Sequence, residues 1–287
     1  TRRMKVVQDI LERDRSAWYA NFAWRPAKLF DTVNRALTIF VVMPGGEGHT
    51  FSTSYQKWTS DDREGLFERI AFVEVPRDRS AFWVPKLGHH IEHSILNRIL
   101  SKPTQVAHLV RRTEHRIYYR TTGGLYWKVF TDFPPAFRLN GKSGSSSRET
   151  SFAVATKGHV RPMLAVLSSD LFWWWYTVTS NLRDLNPVDI HSFPVAETAM
   201  VDEQLRALAS RYIGDIDRNS TMLVREQKQT GRTETQSFRI QKSKPIIDEI
   251  DCVLARHYGL TEQELDFIIN YDIKYRMGQD VEENGDG

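Results

Sequence analysis

Leu37-Thr38-Ile39-Phe40-Val41-Val42 is an unbroken run of apolar, β-branched and aromatic residues, closed by Pro44-Gly45-Gly46. Such a run reads as a buried strand ending in a turn. Residues 49–58 alternate more loosely and form a second candidate strand able to pair back across that turn. Before the pair, residues 4–15 place Val6, Val7, Ile10 and Leu11 at helical spacing among charges. After it, Ser60 is placed to cap a short helix with Asp61, Asp62 and Glu64 in its first turn and Leu66, Phe67 and Ile70 turned inward. Strands and helices therefore mix from the start, which rules out an all-helical chain.

Working outward, residues 76–85 read as a linker or boundary. Residues 87–100 are helical, with Ile91, Ile95, Leu96 and Ile99 on one side. Then the period changes. Residues 106–109, 116–120, 126–130 and 151–155 are short, rich in β-branched or aromatic residues and punctuated by Gly and Pro, as in an irregular β-rich module. Gly141-Lys142-Ser143-Gly144-Ser145-Ser146-Ser147 reads as a flexible loop. From Ser168 the chain turns helical. Residues 200–217 put Val201, Leu205, Leu208, Tyr212 and Ile216 on one stripe, and residues 225–239 read as polar and mobile. Two helices follow, 245–257 and 261–271, separated by Gly259; the second opens with a Thr261/Glu264 capping box. The acidic, Gly-rich tail reads as disordered. No internal repeat is visible.

The 287 residues are 40% hydrophobic and 26% charged, enough for a sizeable core. The single cysteine, Cys252, excludes an intramolecular disulfide and a multi-cysteine zinc site, and fits a reducing, cytoplasmic location. The longest apolar stretch, residues 171–178, is far short of the roughly 20 residues of a membrane span. The chain opens Thr1-Arg2-Arg3-Met4, which points to a segment of something longer, although processing would leave the same start. The net charge of +3 hides an asymmetry. Residues 105–165 hold ten Lys/Arg against three acids, a net of +7, which leaves −4 for the rest. A concentrated basic block of this kind is the electrostatic footprint of a polyanion binder.

Signals for independent catalysis are weak. His89 and His93 lie one helical turn apart, but His90 points elsewhere and no third ligand is evident, so packed or solvated histidines are the better reading. Gly45-Gly46-Glu47-Gly48 lacks the strand-to-helix frame of a dinucleotide loop, and Gly141-Lys142-Ser143 lacks the earlier glycine of a phosphate loop. No Gly-x-Ser-x-Gly elbow occurs, and Cys252 falls beside Leu254 in an amphipathic helix, a core-like position. The expectation is a chain with no catalytic residues, metal or cofactor of its own.

The basic block interleaves cations with aromatics: Arg116-Ile117-Tyr118-Tyr119-Arg120, Tyr126-Trp127-Lys128 and Phe137-Arg138. Tyr118 and Trp127 read as core, since large aromatics in short strands pack inward. Arg116, Arg120, Lys128, Arg138, Lys142, Arg148, Lys157 and Arg161 are the expected DNA contacts, because Lys and Arg neutralise phosphates and Arg can fork onto guanine. Phe172-Trp173-Trp174-Trp175-Tyr176 is too large to leave wet and is expected to fix a junction between modules.

Three blocks in order carry a family resemblance. Arg25-Pro26-Ala27-Lys28-Leu29-Phe30-Asp31-x-Val33-Asn34-x-x-Leu37-Thr38-Ile39-Phe40 resembles the end of the catalytic domain in the Eco57I-like and TaqI-like DNA adenine-N6 methyltransferases. Ser168-Ser169-x-Leu171-Phe172-Trp173-Trp174-Trp175, with Asn181-x-Arg183-x-Leu185-Asn186 and Ile190-x-x-Phe193-Pro194, resembles their specificity region. Lys244-Pro245-Ile246-Ile247-Asp248-Glu249-Ile250-Asp251, with Tyr258-Gly259-Leu260-Thr261 and Asp266-Phe267-Ile268-Ile269-Asn270-Tyr271, resembles their C-terminus.

The resemblance implies an α+β chain. Residues 1–75 would be the remnant of a methyltransferase α/β sheet, 76–239 a mixed α/β target-recognition domain, 240–277 a helical closure and 278–287 the acidic tail. It further implies reading of double-stranded DNA for a restriction-modification or phage-defence enzyme that moves a methyl from S-adenosylmethionine to a flipped adenine. The Asn-Pro-Pro-Tyr and glycine-rich cofactor motifs of that family are absent from these residues. A methyltransferase catalytic part, upstream in cis or on a partner chain, is therefore the implied partner, and the severed sheet should expose strand edges. The alternative from another class is a regulatory or protein-interaction subunit of a phage-defence assembly.

Overall fold

A computed structural model describes residues 4–45, 48–78, 81–122, 129–228 and 231–275. It is mixed α+β, as the sequence reading anticipates. The chain forms two compact units, residues 1–97 with 175–182, and residues 98–174 with 183–287. No helix among the described residues is long and apolar enough to cross a membrane.

In the first unit, helix α1 (Lys5–Glu12) leads into strand β1 (Arg15–Phe22), followed by β2 (Leu37–Pro44), β3 (Thr50–Gln56), the two-residue β4 (Val73–Glu74) and helix α2 (His90–Leu100), whose last residues, from Arg98, fall in the second unit. The strands form one sheet in the order β2-β1-β3-β4. β1 holds an inner position because Ala17, Tyr19, Ala20 and Phe22 are all buried. Its buried Asn21 is satisfied: the side chain accepts from Thr38 Oγ1 at 3.0 Å and donates to Thr53 O at 3.0 Å. Phe22, Leu29, Trp58 and Leu66 form the core beside it.

Two expectations fail here. Residues 37–42 do form a strand, but β2 is an edge, and Ile39, Phe40, Val41 and Met43 are exposed. Nor does residues 49–58 pair back on it: β3 runs parallel to β1 on the side away from β2. β1, with its run of buried side chains, takes the inner place that the apolar pattern suggested for β2. Pro44 agrees with this, since an edge strand tolerates a missing amide donor. The cap expected at Ser60 is supplied by Thr59, whose backbone N and Oγ1 both bond Asp62 Oδ2 around a single 3₁₀ turn. Those Thr59 hydrogen bonds, with Arg69 beyond, hold the Asp62 carboxyl below its usual range. Leu66 is buried as expected, whereas Phe67 is exposed.

The second unit opens with β5 (Thr104–Gln105) and the single helical turn α3 (Val106–Leu109), where a strand was expected. Next come β6 (Arg116–Arg120), β7 (Phe130–Thr131), β8 (Phe137–Leu139), β9 (Lys142–Gly144) and β10 (Glu149–Ala153). The helices α4 (Lys157–Ser168), α5 (Asp170–Thr179, whose residues from Trp175 fall in the first unit) and α6 (Pro187–His191) follow. Then come β11 (Pro194–Val195), α7 (Glu203–Arg218), β12 (Ser220–Gln227), β13 (Gly231–Phe238), α8 (Lys244–Tyr258) and α9 (Glu262–Tyr275). The strands make an antiparallel β10-β6-β7 sheet, the pair β11-β5, and an antiparallel β12-β13-β8-β9 sheet.

The helical core joins α4, buried from Pro162 to Ser168, to the Leu205, Leu208, Tyr212 and Ile216 stripe of α7 and to α8. Val201, assigned to that stripe, lies outside the helix at 67% exposure. The aromatic run 172–176 is buried throughout. Phe172 meets Phe193 and Phe130 edge-on at 5.3 and 5.7 Å. Asp251 Oδ2 and Oδ1 accept from the Asp170 and Leu171 amides at 2.9 and 3.1 Å, so α8 caps the start of α5. Thr261 and Glu264 bond reciprocally as the capping box expected of them, and Gly259 closes α8 at φ 73°.

Three further readings are corrected. The loop read as flexible at 141–147 contains β9, turned from β8 through Asn140 (φ 50°) and Gly141 (φ 80°). Residues 225–227 and 231–238, read as mobile, lie in the paired strands β12 and β13, whose register runs unbroken from Ser220↔Phe238 to Gln227↔Gly231. Cys252, read as core-like, is exposed, because α8 buries Ile250, Asp251, Val253 and Leu254 around it. The acidic tail lies outside the described residues.

Candidate nucleic-acid interface

The alternation of β6 sorts its side chains cleanly. Ile117 and Tyr119 are buried, while Arg116, Tyr118 and Arg120 share the opposite face. Arg116 is exposed and its Nη1 donates to Ser151 Oγ at 3.1 Å on the neighbouring β10. Arg120 is half-buried, donates from Nε to Thr122 O at 3.2 Å, and sits directly opposite Glu149. Tyr118, read as core, is half-buried on this outer face, whereas Tyr119 fills the core and burial pushes its phenol up to about 12, with Asp189 nearby adding to the effect. Lys128 and Trp127 lie outside the described residues.

Arg138 is exposed on β8, with Nη1 3.6 Å from Glu234 of β13. Lys142 is exposed on β9. Arg148 is exposed just before β10, and its carbonyl accepts from Thr121 N at 2.9 Å and Thr121 Oγ1 at 3.0 Å, which fixes the backbone at that point. Lys157 is exposed at the start of α4. Arg161, one turn further, is tied inward: Nη2 meets Asp132 Oδ2 at 2.7 Å, and 30% of the side chain is exposed.

The structure therefore gathers these cations on two sheets and one helix start rather than on one element. Among the described residues, Arg116, Lys142, Arg148 and Lys157 take no carboxylate partner, whereas Arg138 and Arg161 do. The strand pairing also brings in cations that the sequence reading passed over. β13 lies between β12 and β8, so Arg225 of β12 and Arg232 of β13 join Arg138 and Lys142 on one sheet. The signal was present in the β-forming Thr221-Met222-Leu223-Val224 and in Thr233 and Thr235, spaced about a glycine.

Among the described residues no group of three or more His, Cys, Asp or Glu is placed to hold a metal ion. Glu92, next to His93, caps α2 instead, accepting from Gly88 N at 2.8 Å and His89 N at 2.9 Å. Although Cys252 is exposed, partial desolvation of its thiol and the carboxylates of Asp251 and Asp248 push it above its usual range. In the first unit a cleft of about 480 Å³ is lined by Pro26, Lys28, Asp31, Ser60 and Arg63. No family model matches the chain, and no curated protein matches it.

Proposed function

We propose that this chain is the DNA-reading part of an S-adenosylmethionine-dependent adenine-N6 methyltransferase of a restriction-modification or phage-defence system. In this reading it holds duplex DNA while a catalytic part, in cis or as a partner chain, supplies the cofactor and the reacting groups. The observation that carries the reading is the set of exposed cations Arg116, Lys142, Arg148 and Lys157, none with a carboxylate partner among the described residues. Unpaired basic side chains held by strands and a helix start are what phosphate neutralisation requires. The three-block resemblance supplies the reaction class.

The partner half of the proposal has its own support in the first unit. β2 exposes apolar side chains on both of its faces, Ile39, Val41 and Met43 on one and Phe40 on the other. A strand apolar on both faces belongs in a sheet covered by helices on both sides, and a second copy of β2 would cover neither face. The same observation favours the second reading, a protein-interaction subunit that does not touch DNA.

Fluorescence anisotropy of a labelled duplex, titrated with the chain across 50–200 mM salt, separates the two. DNA reading expects affinity that falls with salt, with a log–log slope of about −3.6 for four phosphate contacts. Replacing Arg116, Lys142, Arg148 and Lys157 with Gln should flatten that slope. Binding that is absent, or indifferent to salt, leaves the protein-interaction reading in its place.

A further inference from the structure

The β12-β13-β8-β9 sheet separates its charges by face. Cross-strand partners share a face, so the registers Val224↔Glu234, Glu234↔Arg138 and Glu226↔Arg232 put both carboxylates of the sheet, Glu226 and Glu234, on one side. There Glu234 meets Arg232 at 3.2 Å and Arg138 at 3.6 Å. That face is internally neutralised. The other face carries the row Arg225↔Thr233↔Leu139↔Lys142, one residue from each strand. It holds no acid, and among the described residues neither Arg225 nor Lys142 takes a carboxylate.

We infer that this second face docks on the major groove of duplex DNA. Three inter-strand steps of about 4.8 Å set the Arg225 and Lys142 Cα atoms about 14 Å apart. The groove is about 12 Å wide and is flanked by phosphates, so the two outer cations meet the two backbones. The two central strands form a ribbon of the width the groove admits. They present Thr233, whose hydroxyl donates to Arg225 O at 3.2 Å and keeps its lone pairs to accept from a base amino group, and the 41% exposed Leu139, which suits a thymine methyl. The sheet is rigid where it must reach. Asn140, at the β8–β9 turn, accepts from Arg232 N at 2.9 Å and donates from its own N to Arg232 O at 2.8 Å. Arg138 is thereby assigned to the far face, as a partner of Glu234 rather than of phosphate.

The inference rests on the DNA-reading proposal, and the test separates the two. The full chain, its fold checked by circular dichroism, is titrated against a fluorescein-labelled random-sequence duplex at several salt concentrations. R225Q and K142Q are each expected to reduce the log–log salt slope by about 1, whereas R138Q leaves it unchanged. Selection from a random duplex library with Leu139→Ala or Thr233→Ala is then expected to relax preference at single base pairs while the salt slope holds. A slope that responds to R138Q but not to R225Q and K142Q overturns the face assignment. So does a slope that responds only to substitutions at Arg116, Arg148 and Lys157, although duplex binding as such survives. A wild-type chain that binds no duplex, or prefers duplex RNA, overturns this inference together with the reading beneath it.

Discussion

Glu12 and Arg77, 65 residues apart, form an ion pair that water barely reaches: Arg77 Nε lies 2.8 Å from Glu12 Oε2, with the side chains 6% and 1% exposed. Tyr19 donates its hydroxyl to the other oxygen of the same carboxylate. The last residue of α1, the inner strand β1 and the stretch after β4 are thus tied at one point. Removing one member of a buried pair leaves the other charge desolvated and uncompensated. Glu12→Gln is expected to cost about 3–5 kcal/mol, read by urea denaturation of the full chain. Glu12→Gln combined with Arg77→Met should recover much of that loss, because no orphan charge remains.

Asp251 is expected to matter through the helix it caps. Its carboxylate takes the first two amides of α5, and Lys244 holds the neighbouring Asp170 at 2.9 Å. Asp251→Ala strands two buried donors and should cost about 2–3 kcal/mol. Asp251→Asn keeps acceptor oxygen on one side only and should lose less. The exposed neighbour makes the control: Cys252→Ala should stay within about 0.5 kcal/mol of wild type. Chemical denaturation midpoints of the three variants give the order.

His191 supplies a pH dependence with a definite sign. Its ring lies edge-on to Phe152 at 5.8 Å, and burial holds its pKa below the usual imidazole range. The unfolded chain therefore takes up a proton at higher pH than the folded one. Stability is complete above about pH 6.5 and declines as the pH falls from there to the lowered folded value. His191→Phe should remove that segment of the decline, measured as Tm against pH between 7.5 and 5. An identical profile in the variant would reject the assignment to His191.

The sequence made the C-terminal helices and their caps legible, because Thr261, Glu264 and Gly259 act locally through hydrogen bonds within a turn or two. What it hid were partners distant along the chain. The apolar run of β2 predicts a strand well and its burial badly, since burial depends on what covers it. The β12–β13 hairpin looked mobile because its polar residues show no core-facing pattern, and they show none because much of each face meets solvent. Gly231 carries that point. Its φ of 81° and the Asn140 side chain 2.4 Å from where a Cβ would stand record a contact between β13 and the β8–β9 turn, which no local pattern announces. The cations shared this fate. The basic block of residues 105–165 contains Lys142 but not Arg225, which strand pairing sets in the same row.

The exposed edge of β2 leads to the last prediction. Phe40 and Val41 are 46% and 56% exposed on opposite faces, so their apolar atoms do little for the fold of the isolated chain. Replacing either with Lys should shift unfolding by no more than about 0.5 kcal/mol. The same change should suppress association, because charge on an edge strand opposes added strands. Static light scattering of the concentrated chain should therefore fall for Val41→Lys, while its unfolding midpoint holds. If a catalytic partner docks on this edge, Val41→Lys should also abolish co-purification with that partner, yet leave duplex binding by the second unit intact. Loss of both would mean that Val41 supports the fold, and the edge would then not be a docking strand.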